Sequence, residues 1–181
     1  SQYLESLQKS WSSNNNEDLE YMKIWSTSAK ILIISNIDYI NLGFSGNAKG
    51  EDIMVDYLAS MDCGLFVCDY DHNAGTPEYL EKTHYPLYKA FRETHPDTPI
   101  VFLSSPDWFK FPKNRTARRR VIEDNYKRAK AEGDNNVYFI DGKEVLKGEE
   151  WDACTVDGCH PNDFGFLRIA QYLEKILKPL L

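Results

Sequence analysis

Short apolar runs alternate with longer amphipathic segments over most of this chain. Four runs have the length of buried strands: residues 39–42, 65–68, 100–103 and 137–140. Their apolar residues are continuous instead of alternating with polar ones, which is typical of strands covered on both faces of a parallel sheet. We therefore predict a parallel sheet built from these runs.

Between these runs lie segments in which apolar residues recur at helical spacing. They are residues 51–61, 77–94, 115–132 and 164–177. Pro86 lies inside the second segment and is predicted to kink or split that helix. The alternation of strands and helices predicts an α/β fold with a doubly wound sheet. In such a sheet, functional residues collect at the carboxyl ends of the strands.

The first thirty residues do not continue this alternation. The pattern predicts a short amphipathic helix with Tyr3, Leu4, Leu7 and Trp11 on one face, a linker over residues 12–16, and a second helix over residues 17–25. We therefore divide the chain into an N-terminal arm, residues 1–30, and one domain, residues 31–181. The arm is expected to pack on that domain or on a neighbouring molecule, and the second arrangement would make a homo-oligomer.

Composition sets bounds on the class of protein. The chain has 181 residues, of which 42% are hydrophobic, enough for one domain with a buried core. The formal net charge of -7 argues against a nucleic-acid partner, because phosphate binding needs a basic face. No run approaches the roughly 18 apolar residues of a membrane span. Because the chain begins with Ser, a cytoplasmic location and secretion after removal of a signal peptide both stay open.

The four cysteines are too few to form a disulfide scaffold for a chain of this length. They are Cys63, Cys68, Cys154 and Cys159, in two pairs whose members are separated by four residues. That separation is not a common zinc-ligand spacing. We expect free thiols, and a disulfide between Cys154 and Cys159 stays open as the alternative.

Candidate chemistry begins in the segment before the last helical run. Asp157 precedes His160 by three residues, and Asn162 or Asp163 is placed to cap the helix that follows. A histidine that acts as a general base needs a partner that fixes its tautomer and stabilises its protonated form. A carboxylate three positions earlier on a turn can provide both.

Two upstream segments add to this pair. Gly46 follows the first apolar run and Asn73 follows the second, so the chain order is Gly46, Asn73, Asp157 and His160. With this set the chain resembles the SGNH (GDSL-like) hydrolase superfamily of esterases and acylhydrolases over roughly residues 37–178. The resemblance implies a three-layer α/β/α sandwich with a flavodoxin-like, mostly parallel sheet. It also implies hydrolysis of small-molecule esters, with carbohydrate O-acetyl groups among the candidates, and no cofactor or metal.

The resemblance also assigns roles to the four residues. His160 would take the proton of a nucleophilic serine and pass it to the leaving alkoxide, and Asp157 would orient His160. The backbone N–H of Gly46 and the side-chain amide of Asn73 would donate to the oxyanion. Glycine lets the backbone approach the substrate closely, and the Asn amide is a neutral donor.

The nucleophile is the block that does not match. In one placement, residues 25–28 are a degraded first block with Ser28 as the nucleophile, but a crossover of about a dozen residues does not fit before residue 37. In the other, residues 30–34 are the first strand, Ser35 or Asn36 stands where the nucleophile should be, and no crossover remains. We therefore predict a departure from the family fold here, such as an antiparallel hairpin or an arm exchanged between molecules. The rival function is a catalytically impaired relative that binds a ligand or serves in assembly.

Four further residues are expected to line the pocket: Ser45, His72, Trp108 and Trp151. Ser45 lies in a Gly-Phe-Ser-Gly segment that is close to a nucleophile motif, yet its hydroxyl is expected to satisfy a turn amide. His72 has an alternative role as a metal ligand with Asp69 and Asp71, which would make the protein a metal-dependent hydrolase.

The remaining histidines and the basic run are predicted to be solvated. His84 and His95 fall on a helix predicted at the surface and at its end. The basic residues of the third helical segment are expected to form a solvated face; they are Arg115, Arg118, Arg119, Arg120, Lys127, Arg128 and Lys130.

Overall fold

A five-stranded parallel sheet forms the centre of the computed structural model, which describes residues 21–24, 38–42, 46–106 and 112–181. The strands are β1 (Tyr21–Ile24), β2 (Asp38–Asn41), β3 (Leu65–Cys68), β4 (Ile100–Leu103) and β5 (Val137–Ile140). Their order in the sheet is β2-β1-β3-β4-β5, and every pair is parallel. This is the flavodoxin-like order of a doubly wound sheet.

Helices cover both faces of this sheet. They are α1 (Asp52–Ala59), α2 (Pro77–Thr94), α3 (Pro112–Ala131), α4 (Gly142–Val145) and α5 (Asp163–Leu177), with single 3₁₀ turns at Trp151–Cys154 and Lys178–Leu180. Residues of α1, α2 and α3 share one buried cluster, and residues of α4 and α5 share another. The predicted three-layer α/β/α architecture is therefore confirmed.

The two inner strands β3 and β4 explain the continuous apolar runs. Successive side chains point to opposite faces of a strand, and both faces of this sheet are covered. Phe66 and Phe102 pack in the cluster with α1, α2 and α3, whereas Val67 and Val101 pack in the cluster with α5. All residues of both strands are buried, so neither face tolerates polar residues.

Helix boundaries follow local signals. The hydroxyl of Thr76 accepts a hydrogen bond from the backbone N–H of Tyr79 at 3.2 Å, and Pro77 occupies the first turn of α2, where its missing N–H leaves no bond unmade. Helix α2 continues through Pro86 to Thr94, so the predicted split at that proline is wrong. None of the helices among the described residues has the length and apolar character needed to cross a membrane.

The first strand corrects the prediction for the N-terminal region. Tyr21–Ile24, predicted as part of a helix, pairs in parallel with β2 on one side and β3 on the other. Four residues with a lysine among them carry too little periodicity to separate strand from helix. Residues 21–24 of the predicted arm therefore belong to the sheet.

Residues 25–37 connect β1 to β2 and are not among the described residues. The predicted hairpin of residues 30–34 and the exchange of the arm between molecules both lie outside the described part of the chain. The same is true of the two predicted features within residues 1–20. These statements stay predictions, and so does the assignment of residues 1–20 to a separate arm.

Candidate active site

Residues 155–162 form a tight turn that carries Asp157 and His160. This loop joins the 3₁₀ turn at Trp151–Cys154 to helix α5. Thr155 and Pro161 form an isolated antiparallel bridge at its base, and the backbone N–H of Val156 donates to the carbonyl of His160 at 2.9 Å. Gly158 has a φ of 81°, in the left-handed region that glycine adopts without strain. The turn closes on itself, so the acid and the histidine point to the same side.

The carboxylate of Asp157 organises this loop. Its Oδ1 accepts the backbone N–H of Cys159 at 2.9 Å and of His160 at 2.8 Å, and its Oδ2 lies 2.7 Å from Nδ1 of His160. The predicted hydrogen bond between Asp157 and His160 is confirmed. The bond from the backbone N–H of His160, with those from its ring and from Cys159, holds the pKa of the Asp157 carboxyl well below its ordinary value.

This arrangement fixes the state of the imidazole. The carboxylate accepts from Nδ1–H, so Nε2 is the nitrogen that remains for a substrate or nucleophile. The side chain of His160 is 76% exposed and that of Asp157 is 45% exposed, so the pair is open to a ligand. The sequence predicted this pair because its partners are only three residues apart.

Asn162 fixes the loop on α5. Its side-chain oxygen accepts the backbone N–H of Gly165 at 2.9 Å, which caps the helix, and its amide donates to the carbonyl of Ala153 at 2.7 Å. The backbone of Gly165 packs so closely on Cys154 that a Cβ at this position would overlap the Cys154 carbonyl. The cap and this close approach give the loop of Asp157 and His160 a rigid base.

The loop after β3 carries Asn73. The backbone N–H groups of Asn73 and Ala74 both donate to the carbonyl of Tyr70, at 3.0 and 3.3 Å, which turns the chain sharply after the strand. Asp71 within this turn is fully buried, and its Oδ2 accepts the backbone N–H of Ser105 at 3.0 Å. The half-buried Asn73 is thereby carried on a turn tied to the end of β4.

Arg118 holds the same turn from helix α3. Its guanidinium donates to the carbonyls of Asp71 and Gly75, the latter at 3.1 Å, and its Nε donates to Asn114 at 2.6 Å. Arg118 is 5% exposed, and burial lowers the pKa of its guanidinium. The prediction that the basic run is a solvated face is therefore wrong for Arg118 and also for the buried Arg115, because this end of α3 packs on the site instead of facing water.

His72 connects the Asn73 turn to the loop of Asp157 and His160. Its Nε2 is hydrogen-bonded to the hydroxyl of Ser105, and its Nδ1 lies 3.9 Å from the thiol of Cys159. Arg115 also donates to that thiol, at 3.6 Å. Since Cys159 precedes His160 and His72 precedes Asn73, these contacts bring the two predicted blocks together at one edge of the sheet. The proposed pocket role of His72 agrees with this position and stays a prediction.

Gly46 comes five residues after the end of β2, a strand parallel to β1 and β3. It has a φ of 83°, and a Cβ added there would meet nothing within 4 Å. The residue is exposed, so glycine is required at this position by the backbone conformation and not by packing. Its role as an oxyanion donor stays a prediction.

The remaining predicted site residues are Trp151, Ser28, Ser45 and Trp108. Trp151 lies in the 3₁₀ turn ahead of the loop of Asp157 and His160 and is 45% exposed. Ser28, Ser45 and Trp108 lie outside the described residues, so their predicted roles as nucleophile and pocket residues stay predictions. The four cysteines are free thiols, as expected.

The residues of the alternative metal site have structural partners. Asp71 and His72 both contact Ser105, through its backbone N–H and its hydroxyl respectively. Among the described residues, no group of three or more His, Cys, Asp or Glu side chains is arranged to hold a metal ion.

His84 is buried, so the prediction that it is solvated is wrong. It is 1% exposed, with Nδ1 3.2 Å from the amide nitrogen of Asn125 and Nε2 3.8 Å from the thiol of Cys68. Its ring packs against Tyr70 and Phe102. Burial lowers the pKa of His84 to about 3, so the imidazole is neutral at physiological pH. The helical stripe of α2 that also contains Leu80 and Leu87 was the signal for its burial.

The chain is similar to known hydrolases. Residues 28–178 match the sequence model of the GDSL-like Lipase/Acylhydrolase family. No curated protein matches the chain. Among solved structures, a protein of Bacteroides ovatus assigned to the GDSL-like lipases is 24% identical with a TM-score of 0.80, and the match covers 92% of this chain and 55% of that chain.

Two further structures show the same fold at lower identity. The salicylyl-acyltransferase of a tetracycline biosynthetic pathway is 18% identical with a TM-score of 0.76, over 92% of this chain and 56% of that chain. A family 3 carbohydrate esterase of Clostridium thermocellum is 13% identical with a TM-score of 0.65, over 90% of this chain and 96% of that chain. This chain thus spans about half the length of the first two of these proteins.

Proposed function

Because this chain belongs to the GDSL-like lipase/acylhydrolase family, we propose that it hydrolyses small-molecule esters through His160 and Asp157. In this proposal His160 is the general base, Asp157 orients it, and Gly46 and Asn73 donate to the oxyanion. Ser28 is the proposed nucleophile, and no cofactor takes part.

The observation that carries the proposal is the pair of hydrogen-bonded side chains beside the Asn73 turn. Nδ1 of His160 and Oδ2 of Asp157 are 2.7 Å apart, and Cys159 on the same loop contacts His72. The carboxylate stays ionised because its pKa is held below the ordinary value, so it stabilises the imidazolium that forms when His160 accepts a proton. That stabilisation lowers the barrier to attack of a serine on an ester.

The topology supports Ser28 as the nucleophile ahead of Ser35. Strand β1 pairs with β3, with Ile24 opposite Val67, so the chain leaves β1 at the edge of the sheet where β3 leads to Asn73. Ser28 follows the end of β1 by four residues, within reach of that edge. The serine would attack the ester carbonyl, His160 would take its proton and return it to the leaving alkoxide, and water would then release the acyl group.

Acetyl groups on carbohydrates are the proposed substrate class. Structures similar to this one include a family 2 carbohydrate esterase of Clostridium thermocellum and a peptidoglycan O-acetylesterase. The exposure of the His160 side chain also fits a bulky alcohol part with a small acyl group. Such a substrate would present its acetyl group to His160 while the saccharide lies across the open edge of the sheet.

The test combines turnover with labelling. We expect hydrolysis of a short-chain aryl acetate and release of acetate from an acetylated oligosaccharide. His160→Ala should lower kcat at least about 10³-fold, since base and nucleophile act together, and Asn73→Ala about 10²–10³-fold. A serine-directed phosphonate should add to Ser28, located by peptide mass spectrometry. Ser35→Ala is the matched control for Ser28→Ala and should retain activity.

Three results would contradict the proposal in different ways. Wild-type activity in His160→Ala would remove the catalytic role of the pair. Unchanged kcat in Asn73→Ala would make Asn73 a structural residue only. Labelling of Ser35 with loss of activity in Ser35→Ala would move the nucleophile, while leaving the pair in place.

A second function is favoured by the short connection between β1 and β2. Residues 25–37 must contain the nucleophile turn and a parallel crossover, which usually takes a dozen or more residues. If the connection is too short for both the nucleophile turn and the crossover, the chain would keep the fold but would not place a serine beside His160. It would then serve as a ligand-binding or assembly module. This function predicts no phosphonate adduct on any serine, together with saccharide binding by calorimetry that His160→Ala leaves unchanged.

A further inference from the structure

Helix α3 reaches the candidate oxyanion turn through a buried guanidinium. Arg118 donates to the carbonyls of Asp71 and Gly75, which lie on either side of Asn73 in the chain. The turn is held at both ends by one planar group, and its middle carries the Asn73 amide.

The fixed geometry of the guanidinium suits this task. Its N–H groups diverge in one plane, so one side chain reaches two carbonyls while Nε donates to Asn114 on its own helix at 2.6 Å. Arg118 is 5% exposed, so these bonds are made away from water and resist competition from solvent. The buried carboxylate of Asp71, bonded to Ser105, holds the same turn from the β4 side.

We propose that Arg118 is a positioning residue for the oxyanion donor Asn73. This inference rests on the proposed function. Arg118 does not touch the substrate; it holds the turn of residues 71–75 so that the Asn73 amide is already aimed when the oxyanion forms. A preorganised donor needs no reorganisation at the moment of reaction, and this is the source of its catalytic effect.

The first experiment measures kinetics of purified full chains. In Arg118→Met, kcat should fall about 10–100-fold while KM changes less than about threefold, because the loss acts on the transition state. Arg118→Lys keeps the charge but reaches fewer acceptors, so its kcat should lie between that of the wild type and that of Arg118→Met. Arg119→Met is the matched control: Arg119 is the next residue of α3, but its guanidinium pairs with Asp141 and Glu123 at 2.6 Å, away from the turn. Its kcat should equal that of the wild type.

The second experiment tests whether Arg118 acts through Asn73. If it does, Arg118→Met should lower kcat by less than about twofold in the Asn73→Ala background, because the two residues then act as one unit. Equal fold losses in both backgrounds would overturn the proposal, and so would wild-type kcat in Arg118→Met.

Hydrogen–deuterium exchange separates this inference from the proposed function. The amides of Asn73 and Ala74, bonded to the Tyr70 carbonyl, should exchange at least about tenfold faster in Arg118→Met and at the wild-type rate in Arg119→Met. If the wild type has no turnover, the proposed function fails, and these exchange rates still decide whether Arg118 holds the turn. Unchanged exchange in both Arg118→Met and Arg118→Lys would overturn the inference.

Discussion

Lowering the pH from 7 to 5 should destabilise this protein through one buried histidine. His84 lies in the core between β3, β4 and α3, where the amide nitrogen of Asn125 donates to its Nδ1. A proton on Nδ1 would oppose this donor and place a charge among the buried side chains of Tyr70, Phe102 and Cys68. Burial therefore lowers its pKa to about 3, against 6.5 for an ordinary histidine.

The magnitude follows from linkage between protonation and unfolding. Below pH 6.5 the unfolded chain takes up a proton at His84 that the folded chain does not, so the free energy of unfolding falls as the pH falls. The loss is about 1.4 kcal/mol per pH unit and amounts to about 2 kcal/mol at pH 5. It continues until the pH reaches the folded pKa of about 3.

Urea unfolding followed by tryptophan fluorescence measures this loss in the wild type and in His84→Gln. The variant should be less stable than the wild type at pH 7, because it loses aromatic packing, and the gap should close by about 2 kcal/mol at pH 5. Between pH 7 and 8 the two should run parallel, which provides the control. A gap that stays constant from pH 7 to 5 would show that His84 accepts a proton in the folded state and would refute the reasoning.

Three further predictions concern the loop of Asp157 and His160 and the helix α5 that follows it. Gly165→Ala should lower the free energy of unfolding, measured by urea unfolding, by about 3 kcal/mol, because the new methyl group overlaps the Cys154 carbonyl. A loss smaller than that caused by Gly46→Ala would contradict this prediction. Asn162→Ala should cost about 1–2 kcal/mol by the same measurement through loss of the α5 cap and the bond to Ala153, whereas Asn162→Asp should retain the cap. Asp157→Asn should lower kcat about 10²–10⁴-fold. The pKa of the Asp157 carboxyl lies well below its ordinary value, so a fall in wild-type activity as the pH is lowered from 7 to 4 should come from the protonation of another group.

Features that depend on local interactions could be predicted from the sequence. Strands β3, β4 and β5 have the predicted bounds, because each is a short run of continuous apolar residues, and β3 and β4 are buried on both faces. Helix α2 begins and ends at the predicted residues, Pro77 and Thr94. The bond between Asp157 and His160 joins residues three apart, so their spacing was sufficient to predict it.

Features that depend on which distant faces pack together could not be predicted in this way. Strand β1 is defined by its pairing with β2 and β3, since its four residues carry no decisive period. Arg118 belongs to a charged helix that is typical of a solvated face, and its burial becomes evident only when α3 lies against the turn after β3.

The residues of the candidate site show the same difference between local interactions and contacts of distant segments. The composition and spacing of the chain determined that a carboxylate and a histidine would pair before the last helix. Only the tertiary structure brought Cys159 against His72, residues that are far apart in the chain, and placed Arg118 beneath the Asn73 turn. Burial and contact between distant segments are decided by the packing of whole faces, which no short window of sequence contains.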